Sequence, residues 1–194
     1  MMQPRLYIDM LVTPSIKSER PNAMAHDVLG LLVKFTHAIA ARQGFKHALA
    51  FPQSKVGLRP SPGNVIRVFA VSRESLDSLA DELEKQQFIR DYVTIGRIKA
   101  IPVDYKPSHY VEYERFRVPN RNSRLQDSRA LRMAQADTLP YLRLNSSTSG
   151  HGFSLFIKPI YHDASTFKAS MLEKFEPDVY GLSVATRRFA LPVI

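Results

Sequence analysis

The chain has no cysteine among its 194 residues, which excludes disulfides, thiol nucleophiles and thiolate metal sites. It also lacks any apolar run of membrane-spanning length, and its first residues lack the basic-then-apolar layout of a signal peptide. A cytoplasmic protein with no membrane partner is therefore expected. Short catalytic signatures are missing too: there is no Gly-x-Ser-x-Gly elbow, phosphate-cradling glycine loop, dinucleotide fingerprint or His-Glu-x-x-His run. The six histidines show no metal-ligand spacing, so metal catalysis is disfavoured and no cofactor is expected. Negative charge is scarce. Against 27 Lys plus Arg stand 18 Asp plus Glu, a net +9 that favours a polyanionic partner or an acidic surface.

What is present suffices for an ordinary packed core, with 44% of residues hydrophobic. Arg5 to Val12 reads as a strand. Pro21 and Asn22 then open a long helical pattern with Ala25, Val28, Leu29, Leu32, Phe35 and Ile39 on one face, ending near Gly44. Phe45 to Phe51 and Val65 to Val71 read as strands around a polar loop holding Pro60, Pro62 and Gly63. Ser72 is placed to cap a second helix that turns Leu76, Leu79 and Leu83 inward and sets Asp81 four residues before Lys85. Tyr92 to Ile101 closes the series as a strand. The order strand, helix, strand, strand, helix, strand predicts an α+β chain with a ferredoxin-like domain over 1–104, a pattern shared with RNA-recognition modules. A smaller domain is expected over 105–194.

That second part carries the charge. Arg115, Arg117, Arg121, Arg124, Arg129 and Arg132 face the single acid Asp127, and a helix starting near Asn120 or Asn122 would put the last four arginines on one broad side. Such a side suits a phosphate groove; a solvated helix face is the plainer alternative. Leu139 to Leu144 and Phe153 to Ile157 read as strands joined by Ser146-Ser147-Thr148-Ser149-Gly150, which gathers hydroxyls at one end of a hairpin. Hydroxyls there can bond phosphate and ribose oxygens, and Phe153 offers a face to a base. Lys158 to Lys174 reads as loop or irregular strand. Of the histidines, His37 sits near the edge of the long helix's apolar face, a place that by itself suggests a packed side chain.

The segments Leu139-Pro140-Tyr141, Ser146 to Gly150, Phe153-Ser154-Leu155-Phe156-Ile157-Lys158 and Tyr180-Gly181-Leu182-Ser183, with Thr36-His37-Ala38, Gln43-Gly44 and Ala50-Phe51-Pro52 upstream, resemble a known family in order along almost the whole chain. It is the CRISPR repeat-processing endoribonucleases of the type I-F systems, the Csy-four branch of the Cas-six group. The resemblance implies a protein that grips a CRISPR repeat hairpin and cuts at the 3′ base of the stem without metal. The RNA's own 2′-hydroxyl attacks, leaving a 2′,3′-cyclic phosphate. It implies His37 and Ser146 as the catalytic pair, with Tyr180 beside the histidine, Thr148 and Ser149 on the backbone near the cut, and Phe153 stacked on the terminal base pair. Arg115 matches a guanine-reading arginine, whereas Arg117 stands where the family has a glutamine. The arginine-rich helix is shortened, with Ser128 and Leu131 at arginine positions. The resemblance further implies that the protein is a monomer when free, then stays on the crRNA beside the other subunits of a type I-F surveillance complex. A non-cleaving RNA-binding subunit is the alternative reading, and a generic basic RNA-binding protein explains the charge but not the linked segments.

Overall fold

Through the second helix, the described residues follow the expected alternation. The computed structural model describes residues 4–13, 21–119, 126–146, 150–167, 171 and 175–194. Strand β1 (Leu6–Val12) leads to helix α1 (Pro21–Gln43), then β2 (Ala48–Ala50), β3 (Val65–Ala70) and helix α2 (Arg73–Glu84). On α1, Val28, Leu29, Leu32 and Ile39 are buried, and Phe35 stacks on Phe88 at 5.5 Å. The side chain of Ala25, expected on the same face, lies outside the described ones. Ser72 caps α2 as expected, its Oγ accepting from the Ser75 N–H at 3.3 Å, a contribution of about 1 kcal/mol. Leu76, Leu79 and Leu83 are fully buried, each worth roughly 1.5–3 kcal/mol of burial.

Three expectations need correction here. Tyr92 to Ile101 is not one strand: a short helix α3 (Gln87–Tyr92) precedes β4 (Val93–Ile95), and after a break β5 (Lys99–Ala100) returns to the same edge of β1. The break falls at Gly96, whose N–H donates to the Asp9 carbonyl at 2.8 Å and where a Cβ would lie 2.9 Å from that oxygen. Close backbone approach, not a regular ladder, carries the chain past this point. The strand expected over Phe45 to Phe51 shrinks to three residues. Lys85 pairs with Glu82 rather than Asp81, because Glu82 also takes Arg42 of α1 at 2.6 Å and so brings both cations to one carboxylate.

β1, β3, β2 and β4 form an antiparallel sheet in the order β2-β3-β1-β4, with β5 also on β1. A second antiparallel sheet follows, ordered β7-β8-β6-β9, from β6 (His109–Phe116), β7 (Tyr141–Asn145), β8 (Gly152–Asp163) and β9 (Leu191–Pro192), with helix α4 (Gln126–Ala136) between β6 and β7. β8 runs to Asp163, so Lys158 to Asp163, expected as loop or irregular strand, is regular strand held by full pairing with β6. The start of the arginine-bearing helix lies outside the described residues. The chain is thus α+β, with antiparallel sheets.

One hydrophobic cluster joins the two sheets, drawing Leu32, Leu49 and Val68 together with Tyr113, Leu142, Leu155 and Ile157. α1 packs so closely on β7 that a Cβ on Gly30 would sit 2.0 Å from the Arg143 carbonyl oxygen. Only glycine allows this contact, which brings the His37 end of α1 toward the hairpin of β7 and β8. Phe116, Ala136 and Leu139 form a smaller cluster under α4. No helix among the described residues is long and apolar enough to cross a membrane.

Candidate active site

Four separate segments meet at the ring of Tyr180. His37 of α1 lies 5.2 Å from it between ring centroids, tilted by 47°. Phe153 of β8 approaches to 6.3 Å, and the guanidinium of Arg115 on β6 sits 4.7 Å above the ring. A cleft of about 150 Å³ opens between α1 and the turn carrying Tyr180, lined by Thr36, His37, Lys46 and His47 among others.

Tyr180 is placed by a turn stitched to both sheets. The Gly181 carbonyl accepts from Leu49 of β2 at 2.8 Å, while Ser183 exchanges backbone bonds with β6, accepting from Arg115 at 2.7 Å and donating to Tyr113 at 2.9 Å. Gly181 has φ +76°, and a Cβ there would meet Leu49 Cγ at 2.8 Å and the His47 carbonyl oxygen at 3.0 Å, so this position admits glycine alone. Within the turn, Asp178 Oδ1 accepts from the N–H groups of Tyr180 at 2.8 Å and Leu182 at 3.0 Å. Arg115 Nη1 donates to Asp178 Oδ2 at 3.2 Å.

Ser146 follows β7 and begins the hairpin turn, its N–H donating to the His151 carbonyl at 2.9 Å and its carbonyl accepting from Gly150, which takes φ +68°. Thr148 and Ser149 lie outside the described residues, as do Arg121 and Arg124. Of the remaining arginines, Arg129 Nε donates to the Pro119 carbonyl at 3.1 Å. Arg132 Nε donates to that of Arg117 at 2.8 Å, with its guanidinium 4.4 Å above the Phe116 ring. Both therefore brace the segment that follows β6. Arg115, Arg117, Arg132 and Arg187 line one groove of about 420 Å³ that also borders Asp178. Arg187, Lys46 and Asp178 were not singled out from sequence. The Arg187-Arg188 pair was a visible charge signal, but only Arg187 reaches the groove; Arg188 turns to the buried Glu112.

Glu112 is fully buried and receives Arg188 at 2.7 Å, the Ser183 hydroxyl and, at 3.6 Å, the His162 ring. Burial alone would raise its carboxyl, but the hydrogen bonds from Arg188 and Ser183 and the Arg188 charge outweigh that and hold it below the ordinary range. Its contribution to stability is present above the ordinary glutamate value and lost as pH falls through the lowered one. His47 behaves differently. The residue is 5% exposed, and neither ring nitrogen has a hydrogen-bond partner among the described residues. Burial pushes it down to about 4, with the nearby Ser75 backbone opposing weakly. Between pH 6.5 and 4 the unfolded chain takes up a proton that the folded chain refuses, so stability falls with acidification by about 3 kcal/mol. Urea titrations from pH 7 to 4.5 should show this slope, and a flat profile would mean that the ring protonates in place.

Among the described residues, no three His, Asp or Glu side chains gather as a metal-holding group. The fold and site define an α+β protein that sets a helix histidine, an aromatic cluster and an arginine-lined groove along one seam. The chain belongs to the Cas_Csy4 family of CRISPR-associated proteins, whose model matches residues 7–193. That is a family of CRISPR-associated endoribonucleases, and membership implies binding and processing of CRISPR repeat RNA. No curated protein matches the chain.

Proposed function

We propose that the protein is a metal-independent endoribonuclease that binds the CRISPR repeat hairpin and cuts pre-crRNA at the 3′ base of the stem. The observation that carries this reading is the meeting of His37, Tyr180, Phe153 and Arg115 from four segments around one ring. His37 takes the proton of the ribose 2′-hydroxyl as that oxygen attacks the adjacent phosphorus. The bond to the 5′-oxygen breaks, and the products are a 2′,3′-cyclic phosphate and a 5′-hydroxyl, the leaving oxygen ending with a proton from solvent or the imidazolium. Ser146 holds the ribose in the reactive pose, and Tyr180 packs beside the imidazole. Thr148 and Ser149 contact the backbone near the cut, while Phe153 stacks on the terminal base pair.

Arg115 reads a guanine through O6 and N7. Arg117, Arg121, Arg124, Arg129 and Arg132 meet phosphates along the stem. In this reading 1–104 is a ferredoxin-like domain, supported by the sheet order β2-β3-β1-β4 with helices after β1 and β3, and 105–194 is the RNA-binding part. The protein is cytoplasmic and monomeric when free, and after cutting it remains on the crRNA as a subunit of a type I-F surveillance complex. Incubation of the purified protein with the repeat RNA of its own locus in excess EDTA tests the chemistry. Cleavage at an unchanged rate is expected, and loss of cutting that a divalent ion restores would refute it.

A further inference from the structure

We propose that Asp178 is a positioning residue that, through Arg115 and the Tyr180 turn, holds the His37 imidazole in its reactive place. The inference rests on the reading of His37 as the group that accepts the proton. The Asp178 side chain is only 5% exposed, yet both its oxygens are used, and for different tasks. Oδ1 gathers the backbone N–H groups of Tyr180 and Leu182 and so sets the conformation of the turn. Oδ2 holds the guanidinium of Arg115, which in turn lies over the Tyr180 ring. Backbone and ring of Tyr180 are thereby fixed from opposite sides by one carboxylate. Charge-assisted hydrogen bonds in a site shielded from water are stronger than neutral ones, and they restrain both groups at once.

His37 itself extends from one turn of α1, and its ring's neighbour across the cleft is Tyr180. A base that must meet a ribose hydroxyl within hydrogen-bond reach loses rate steeply when misplaced by an ångström. The second anchor of the chain, Arg115, is also the residue expected to read a guanine. The carboxylate thus links the base-reading side of the groove to the histidine side.

Asp178→Asn separates the two tasks. The amide keeps an oxygen for the Tyr180 and Leu182 N–H groups but presents an NH₂ to Arg115, which can no longer be accepted there. Under single-turnover conditions at saturating protein, the cleavage rate should fall about 10- to 100-fold, with the half-saturating concentration for the hairpin within about 2-fold of wild type. In a Tyr180→Ala background the same substitution should cause no further loss, because both changes release the same ring. Without any RNA, the His37 imidazole proton resonances, shifted by the Tyr180 ring current, should move in Asp178→Asn toward their positions in Tyr180→Ala. Unmoved His37 resonances in a folded Asp178→Asn protein, or losses that add in the double variant, overturn the inference. If Asp178→Asn does not fold, Arg115→Gln breaks the same ion pair from the more exposed side and is read by the same resonances. A wild-type protein that leaves the hairpin uncut defeats the proposed function instead, while the resonances still decide the role of Asp178.

Discussion

His37→Ala should remove cleavage over any time course in which the wild type runs to completion, a loss on the order of 10²- to 10⁴-fold, as expected for a positioned general base. Hairpin affinity should stay within about 2-fold, because an interface made by many phosphate contacts gains little from one imidazole. The structure adds a reason for expecting a clean result. His37 is only half-buried, it lines the cleft, and its ring lies beside that of Tyr180. Truncation there leaves the core of α1 intact. Gel-shift titration beside single-turnover cleavage separates the two quantities. A parallel fall in binding and cutting would make His37 a packing residue, the plain reading of its place on the helix.

Replacing the 2′-hydroxyl just upstream of the scissile phosphate with hydrogen should stop the reaction altogether, since in the proposed mechanism no group of the protein can take over the attack. Binding should survive, because one lost hydroxyl removes at most a hydrogen bond, about 1 kcal/mol net. Ser146 is the only described hydroxyl of its hairpin segment, and its proposed task is to orient that ribose. Mass spectrometry of the protein after reaction with intact repeat RNA gives the complementary measurement. Cutting of the deoxy-substituted repeat, or a covalent adduct on Ser146, would show that the serine attacks phosphorus directly and that the 2′-hydroxyl mechanism is wrong.

The long elements were readable because their signals are periodic. α1 and α2 repeat apolar residues at helical spacing, with the Ser72 cap before α2 and Gly44 after α1, and β1 and β3 are apolar at every position except Asp9 and Arg67. The segment from Gln87 to Ala100 was not readable in the same way. Its β-favouring residues conceal a helical turn that buries Ile89 and a break where Gly96 touches Asp9. Both features answer to neighbours distant in sequence, against which local propensity has little weight. The same holds for the strand that continues β8 to Asp163. Lys158-Pro159 carries weak strand character, and pairing with β6 supplies what the segment lacks.

By itself, the sequence determined the properties that are additive along the chain: the net positive charge, the want of thiols, the arginine density after Pro102 and the period of each long helix and strand. Such properties survive any folding of the chain. Tertiary structure alone decided which side chains share a site, because that depends on strand order, register and the closeness of two backbones. His37 looked like a packed histidine until the approach of Gly30 to β7 and of Gly181 to β2 brought the Tyr180 turn across it. Arg115 looked like a free cation of the basic stretch, but the pairing of β6 with Ser183 places it over Tyr180 and against Asp178, 63 residues away. Arg129 and Arg132, alike in sequence to a phosphate-binding row, direct one donor each to the carbonyls of Pro119 and Arg117, just past the end of β6. Charge is carried by the residue, whereas its partner is chosen by the fold, since a buried or half-buried ion takes the nearest acceptor that geometry offers.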